Sequence, residues 1–396
     1  MLSLTIIIIV SVGLIVFGAI EYSNHQQQVN TIPIRIHING TRGKSSVSRL
    51  IGAGLRAGGY KTITKVTGTF PRLITSEGLE SPIHRKEKAN ILEQLKIIRF
   101  SARQKVDVLI LECMALKPQY QKICEHQMVR ATHGVITNIR LDHLDVMGPT
   151  LDDVAKALCG TIPKKAQLFT SEDRCFDYVQ KIARKRKTGV HQSLGFKITD
   201  DEVKGFDYIE HKANIDLAMD VCLSLGVDRA KALAEMQKTR PDEGALTQSF
   251  IKTERKRVTF YNGFAANDPE STLMIWESIT RNLNQDEQKT ILLNTRKDRQ
   301  DRARQLIEMV AHRMDFDVVA LIGESVDLVE DLALRNGISR KKILKIGRPS
   351  SEKQFAHIVK ASKSSATVLG IGNMGAGGAE LAQCFEHHAN KLKEAV

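Results

Sequence analysis

The densest chemistry in the chain lies in Asn39-Gly40-Thr41-Arg42-Gly43-Lys44-Ser45-Ser46. Closely spaced glycines let backbone N–H groups converge on one point, and a lysine and a hydroxyl follow at once. Such a loop suits a nucleoside triphosphate. The N–H groups and the positive end of a following helix hold phosphate oxygens, Lys44 reaches the β- and γ-phosphates, and the Ser45 hydroxyl ligates Mg²⁺. The elements that must position the loop stand on either side. Ile34 to Ile38 alternates with Arg35 and His37 as a strand does, and Val47, Leu50 and Ile51 mark one face of a helix from Ser46 onward. The loop is shorter than G-x-x-x-x-G-K-[ST], because Ile38 stands where the first glycine would be. The plain alternative is a chance glycine turn with a surface lysine, and the flanking strand and helix argue against it.

Two further stretches place donors for a divalent cation. Val106 to Leu111 reads as a buried strand ending in Glu112, and a carboxylate at the end of a parallel strand beside a phosphate loop is where a metal ligand belongs. Val135 to Ile139 reads as another strand, followed by Arg140-Leu141-Asp142-His143-Leu144-Asp145. A neutral His143 there is a candidate ligand oriented by a neighbouring carboxylate. The structural alternatives are a solvated strand end for Glu112 and a helix-capping loop for Asp142–Asp145.

A chain of 396 residues, 42% hydrophobic and 26% charged, holds two domains of ordinary size and a short appendage. Six cysteines without a C-x-x-C pair fit reduced thiols in a cytosolic compartment rather than disulfides or a zinc site. The net charge of +13 admits nucleic acid, anionic lipid or an acidic polymer as partner. Aromatics at 5%, not interleaved with basic residues, argue against nucleic acid.

Leu2 to Ile20 carries no charge and as a helix spans roughly 28 Å, close to a bilayer's hydrocarbon core of about 30 Å. No basic residue precedes it, so an uncleaved single-pass anchor is favoured over a signal peptide. ATP chemistry then puts the remaining domains on the cytoplasmic side of the inner or plasma membrane. Expected boundaries are 1–20 anchor, 21–33 polar linker, 34–243 ATP-binding domain and 244–396 a second, Rossmann-like α/β domain. Strands expected in the last are Val258–Tyr261, Thr290–Asn294, Val318–Ile322 and Thr367–Ile371. Gly370-Ile371-Gly372-Asn373-Met374-Gly375 matches G-x-G-x-x-G but lies too near the end for a dinucleotide fold.

Taken in order, G-T-R-G-K-S, the strand ending in Glu112 and T-N-I-R-L-D-H-L-D resemble the central ATPase domain of Mur ligases and folylpolyglutamate synthases. The resemblance implies ATP with Mg²⁺ (or Mn²⁺), held at Lys44, Ser45, Glu112 and His143. Glu210-His211-Lys212-Ala213-Asn214 is similar to a family element whose asparagine meets adenine, here Asn214. Where many members carry a carbamylated lysine for a second metal, this chain has Leu158. Asn262 to Ser271 is similar to a family loop, D-x-A-H-N-P-x-S, with an insertion and Asn262 in place of Asp; it makes Asn267 and Asp268 candidates for placing an amino acid. Arg296 begins a loop similar to G-x-R-D-R; arginines there bind phosphate or a carboxylate, or else simply start a charged helix.

The anchor, L-E-C-M-A, T-N-I-R-L-D-H-L-D-V-M-G-P-T and N-G-F-A-A-N-D together resemble the ligase subunits of membrane poly-γ-glutamate synthases (CapB/PgsB type). That implies ATP-dependent polymerisation of glutamate through a γ-glutamyl phosphate, for capsule or secreted polymer, beside small membrane subunits. A folylpolyglutamate-type ligase and a membrane-anchored P-loop ATPase energising transport are the other readings. The sequence sets no oligomeric state.

Overall fold

The apolar run that begins the chain continues as helix well past its last apolar stretch. In the computed structural model, which describes residues 2–393 apart from 69–70, 86–89, 207, 242–245, 267, 282 and 285, the first helix α1 is Leu2–Asn30. Among the described residues it is the one helix long and apolar enough to cross a membrane. Its first part is exposed along its length; its last part is docked.

The expected linker over 21–33 is therefore corrected. Polar composition suggested coil, but these residues meet specific partners. A π-helical turn, Cys124–Val129, turns its carbonyls outward, and α1 answers them: His25 Nε2 lies 2.9 Å from the Met128 carbonyl, and Gln26 donates to the Gln127 carbonyl at 2.9 Å. Val29 and Ile32 are fully buried among Ile98, Val106 and Met128. Each such apolar side chain contributes about 1.5–3 kcal/mol, which fixes the segment as part of the fold.

Contacts divide the chain into two units, Met1–Asp242 and Glu243–Val396. The first unit is built on eight strands: β1 Ile34–Asn39, β2 Thr62–Val66, β3 Arg72–Ile74, β4 Glu80–Pro82, β5 Val108–Glu112, β6 His133–Ile136, β7 Gln167–Thr170 and β8 Gly189–Gln192. Their order is β4-β3-β2-β5-β1-β6-β7-β8, parallel from β2 to β8. β1 is central. The chain leaves it for β2 by stepping over β5, which makes its C-terminal end a switch point where loops from neighbouring strands converge. Helix α2, Lys44–Ala57, buries Val47, Leu50, Ile51 and Leu55 on the sheet and on the helix Lys212–Ser224.

β6 stops at Ile136, three residues short of the expected Ile139, because Thr137 and Asn138 turn away to other partners. Helix Phe176–Lys185 ends in the basic residues Arg184 and Lys185. Asp242 to Ala245, at the expected domain boundary, lie outside the described residues.

The second unit holds β9 Thr247–Lys252, β10 Arg257–Asn262, β11 Gln288–Thr295, β12 Val318–Gly323, β13 Ile343–Gly347 and β14 Ser365–Gly372. Their order is β13-β12-β11-β14-β10-β9, with only β9 antiparallel. Its core joins Ile291, Leu293, Val319, Leu321 and Leu369 to Trp276 and Leu306 from helices. β9 and β13, absent from the sequence reading, are the two edges.

Candidate active site

The phosphate loop leaves β1 at Gly40, where φ is +132° and an added Cβ would lie 2.1 Å from Thr137 Oγ1. No side chain fits there. Gly43, at φ +80°, caps α2 with no side-chain hydrogen bond, and an added Cβ would lie 2.8 Å from Asn214 Oδ1. The first turn of α2 thus presents the N–H groups of Lys44, Ser45 and Ser46, which have no intrahelical acceptor, at the positive end of a 14-residue helix.

The loop's curvature is set by residues that follow β6. Thr41 N–H donates to the Asn138 carbonyl at 2.9 Å and Arg42 N–H to Asn138 Oδ1 at 3.0 Å, while the Thr137 hydroxyl donates to the Arg42 carbonyl at 2.6 Å. Arg140 N–H donates to the Thr41 hydroxyl at 2.9 Å. The backbone donors of Thr41 and Arg42 are therefore committed to the protein, which moves the phosphate-facing N–H groups to Lys44–Ser46. Thr137 and Asn138 were missed as shaping residues; their signal was two hydrogen-bonding side chains directly after a strand.

Lys44 arches over the loop, its Nζ 2.7 Å from the Gly40 carbonyl and 3.2 Å from that of Thr41. Burial lowers its pKa, and the Glu112 carboxylate works against that fall. The Ser45 hydroxyl donates to Glu112 Oε2 at 2.9 Å, and Thr67 N–H donates to the same oxygen at 2.7 Å. Glu112 is buried at the end of β5, opposite Ile38 in register. Hydroxyl and carboxylate oxygens are the hard donors that Mg²⁺ and Mn²⁺ take, so Ser45 and Glu112 fit such an ion.

His143 begins the short helix Leu144–Met147 with φ +49°. Its Nε2 lies 3.7 Å from Asp142 Oδ2, and Arg42 Nη2 is 3.2 Å from the same oxygen. Asp142 thereby joins the loop carrying His143 to the phosphate loop. Asn214 packs against Gly43 and donates from Nδ2 to the buried Glu210 at 2.8 Å. Asn39 is turned elsewhere: its amide donates to Gln121 at 2.9 Å and Thr161 at 3.1 Å, so its side chain braces the strand and does not face the loop. Leu158 is buried in an apolar cluster with Ile136 and Val154, and nearby Lys156 faces Asp153 at 3.3 Å.

In the second unit, Asp268 caps the helix Pro269–Thr280, accepting from Ser271 N–H at 2.9 Å. Arg296 holds Asp298 in a two-pronged pair at 2.9 and 2.7 Å. Asn267 lies outside the described residues. Arg302 donates to Asn373 Oδ1 at 2.9 Å, and Asn294 donates to the carbonyls of Asn373 at 2.6 Å and Gly375 at 2.8 Å. The glycine turn after β14 is thus bound to the end of β11. Asn262 and Asn294 each bury a side-chain oxygen that meets no donor.

Comparison with known proteins decides the family. Residues 38–225 match the Mur ligase middle domain, and residues 247–388 match the poly-gamma-glutamate synthase CapB C-terminal domain. The chain is 33% identical over 395 residues to the PGA synthase CapB of Bacillus subtilis, covering 99% of each. It belongs to the CapB family of poly-γ-glutamate synthases. The capsule biosynthesis protein CapB of Bacillus anthracis is 41% identical over 324 residues, covering 81% of this chain and 69% of that protein. Members of the CapB family are ATP-dependent amide ligases, and this chain is one. Its fold is shared with Escherichia coli FolC in complex with ADP (TM-score 0.69, 15% identity, 93% of each chain). It is shared too with the Yersinia pestis folylpolyglutamate synthase/dihydrofolate synthase complexed with AMPPNP and Mn (TM-score 0.68, 12% identity, 92% of each chain). Those two structures hold ADP, and AMPPNP with Mn, respectively.

Proposed function

We propose that this chain polymerises glutamate into poly-γ-glutamate, for a capsule or a secreted polymer, with Lys44, Ser45, Glu112 and His143 at the reacting end of ATP. The γ-phosphoryl group passes from ATP to a glutamate γ-carboxylate, giving ADP and a γ-glutamyl phosphate. The amine of a second glutamate attacks the acyl carbon, the acyl C–O bond to phosphate breaks, and an amide, phosphate and a proton are released. The observation that carries the reading is the Ser45–Glu112 hydrogen bond at 2.9 Å, beside Lys44 on an uncapped helix start, in a chain related to a PGA synthase over its full length.

Each residue has a defined task. The N–H groups of Lys44–Ser46 hold the phosphates, and Lys44 neutralises charge on the transferring group. Ser45, Glu112 and His143 would hold Mg²⁺, which lowers the charge on the phosphates; Mn²⁺ suits the same donors. Asn214 lies at the loop's side for adenine. In the second unit, the unpartnered oxygens of Asn262 and Asn294 suit an ammonium donor, and the arginines near Arg296 suit carboxylates. The N-terminal helix anchors the chain in the membrane with both units cytoplasmic, beside small membrane subunits. The +13 charge favours a polyanionic product.

The test is phosphate release from ATP by membranes containing the protein, with and without glutamate, alongside assay for γ-linked polymer. Glutamate-dependent release with polymer is expected. Release indifferent to glutamate would identify an ATPase motor instead. Glu112→Gln and His143→Ala should raise the Mg²⁺ needed for half-maximal rate by about 10–100-fold. Unchanged metal dependence in both would remove them from the site.

A further inference from the structure

The C-terminal helix Gly378–Lys393 lies beside the helix Ser351–Ala361 in the second unit, and one patch between them holds three different ligand types. Cys384 and His388 are four residues apart and so share one face of their helix. Glu352 reaches them from the neighbouring helix. The candidate ligand atoms of Glu352, Cys384 and His388 all lie within 4.8 Å of one another. We propose that these three residues form a zinc site that ties the C-terminal helix to its neighbour.

The donor set selects the metal. One thiolate, one imidazole and one carboxylate match Zn²⁺, which takes sulfur at about 2.3 Å and nitrogen or oxygen at about 2.0–2.2 Å, leaving a fourth position for water. Tetrahedral ligands at those lengths stand roughly 3.5 Å apart. The three donors already lie within 4.8 Å of one another, and the Glu352 side chain, 67% exposed, is free to rotate toward an ion. The other two donors are already held. The His388 ring stacks on Phe355 at 4.2 Å and 7°, and its Nε2 lies 3.0 Å from Glu352 Oε2. Cys384 is buried beneath them, next to Phe385, which stacks on Phe260 at 4.0 Å. An imidazole held against an aromatic ring above a buried thiol is set in place before an ion arrives.

Binding exchanges a proton for the metal: the Cys384 S–H bond breaks, the sulfur–metal bond forms, and the proton goes to solvent. Burial first, and then the Glu352 carboxylate, push this thiol up to about 11. The charged and titratable neighbours of the site are Glu352, His387 and His388. Because binding releases that proton, affinity should rise with pH. The site uses none of the residues assigned to ATP.

The full-length protein in detergent, stripped with chelator, is titrated with Co²⁺ and then Zn²⁺. One equivalent of Co²⁺ should give a thiolate-to-metal charge-transfer band, which Zn²⁺ abolishes. Cys384→Ser should lose the band, and both Cys384→Ser and His388→Gln should bind Zn²⁺ at least about 100-fold more weakly. Glu352→Gln, at a position 67% exposed, should weaken it about tenfold. No charge-transfer band in the wild type, or a band that persists in Cys384→Ser, would overturn the assignment.

Discussion

Lys44→Ala should lower glutamate-dependent phosphate release by about 10²–10³-fold while leaving membrane attachment and the melting temperature unchanged. The Lys44 ammonium is held over the phosphate loop by two of the loop's own carbonyls, 2.7 and 3.2 Å away. It is the cation carried by the helix start itself, and charge placed there needs no reorganisation as the γ-phosphoryl group moves. Its partners are two main-chain oxygens of the loop, and no core side chain depends on it. Lys44→Arg separates charge from shape: the guanidinium keeps the charge but not the compact fit, and should recover only part of the rate. Wild-type release by Lys44→Ala would move the phosphate site away from this loop.

Glu125→Ala should destabilise the first unit by about 3–5 kcal/mol, a large fraction of an ordinary domain's 5–15 kcal/mol. His37 sits in the middle of β1 and Glu125 on the π-helical turn, both about 1% exposed, with Nδ1 2.8 Å from Oε2. The other carboxylate oxygen accepts from Ala131 N–H at 2.9 Å. Burial by itself would push the imidazole down, but Cys113 and Glu125 beside it outweigh burial and raise it to about 10. That direction favours the protonated ring beside the carboxylate. Removing Glu125 strands that charge and orphans a buried N–H.

A pKa raised above the unfolded value of 6.5 means the pair's stabilisation is full below about pH 6.5 and is lost as pH climbs through about 10. Melting of the full chain should therefore fall by roughly 6–20 °C in Glu125→Ala at pH 6.5. The difference from wild type should narrow above pH 10. The double change His37→Leu with Glu125→Met should be far milder than the single one, because a buried ion pair replaced whole by apolar groups costs little. Equal melting of wild type and Glu125→Ala would refute the buried charge pair.

Legibility in the sequence followed how local the signal was. β1, the glycine loop and α2 are contiguous, and each is dictated by its own periodicity and by glycines that must adopt positive φ, so the phosphate loop could be read directly. Glu112 was legible because an apolar strand ends on it. β6 was overextended because Thr137 and Asn138 have strand-compatible neighbours; only the nearby loop, offering the Arg42 N–H and carbonyl, draws them out of the ladder. The polar stretch before β1 read as linker because composition cannot reveal that a π-helical turn a hundred residues later presents carbonyls to His25 and Gln26. β9, an edge strand with burial on alternate residues, paired only on one side, carried a signal too weak to separate from loop.

By itself the sequence determined that this protein has an apolar helix able to span a membrane, a phosphate loop with its strand and helix, and a second α/β unit. Those follow from hydrophobic run length and short-range backbone chemistry. The tertiary structure decided which of the candidate groups meet. Strand order put β5 and β6 on either side of β1, so that Glu112 reaches Ser45 and Asn138 fixes the loop's curvature, while Asn39 was turned inward to Gln121. Strand order depends on how whole faces bury their apolar area against one another, a sum over distant residues that no local pattern contains.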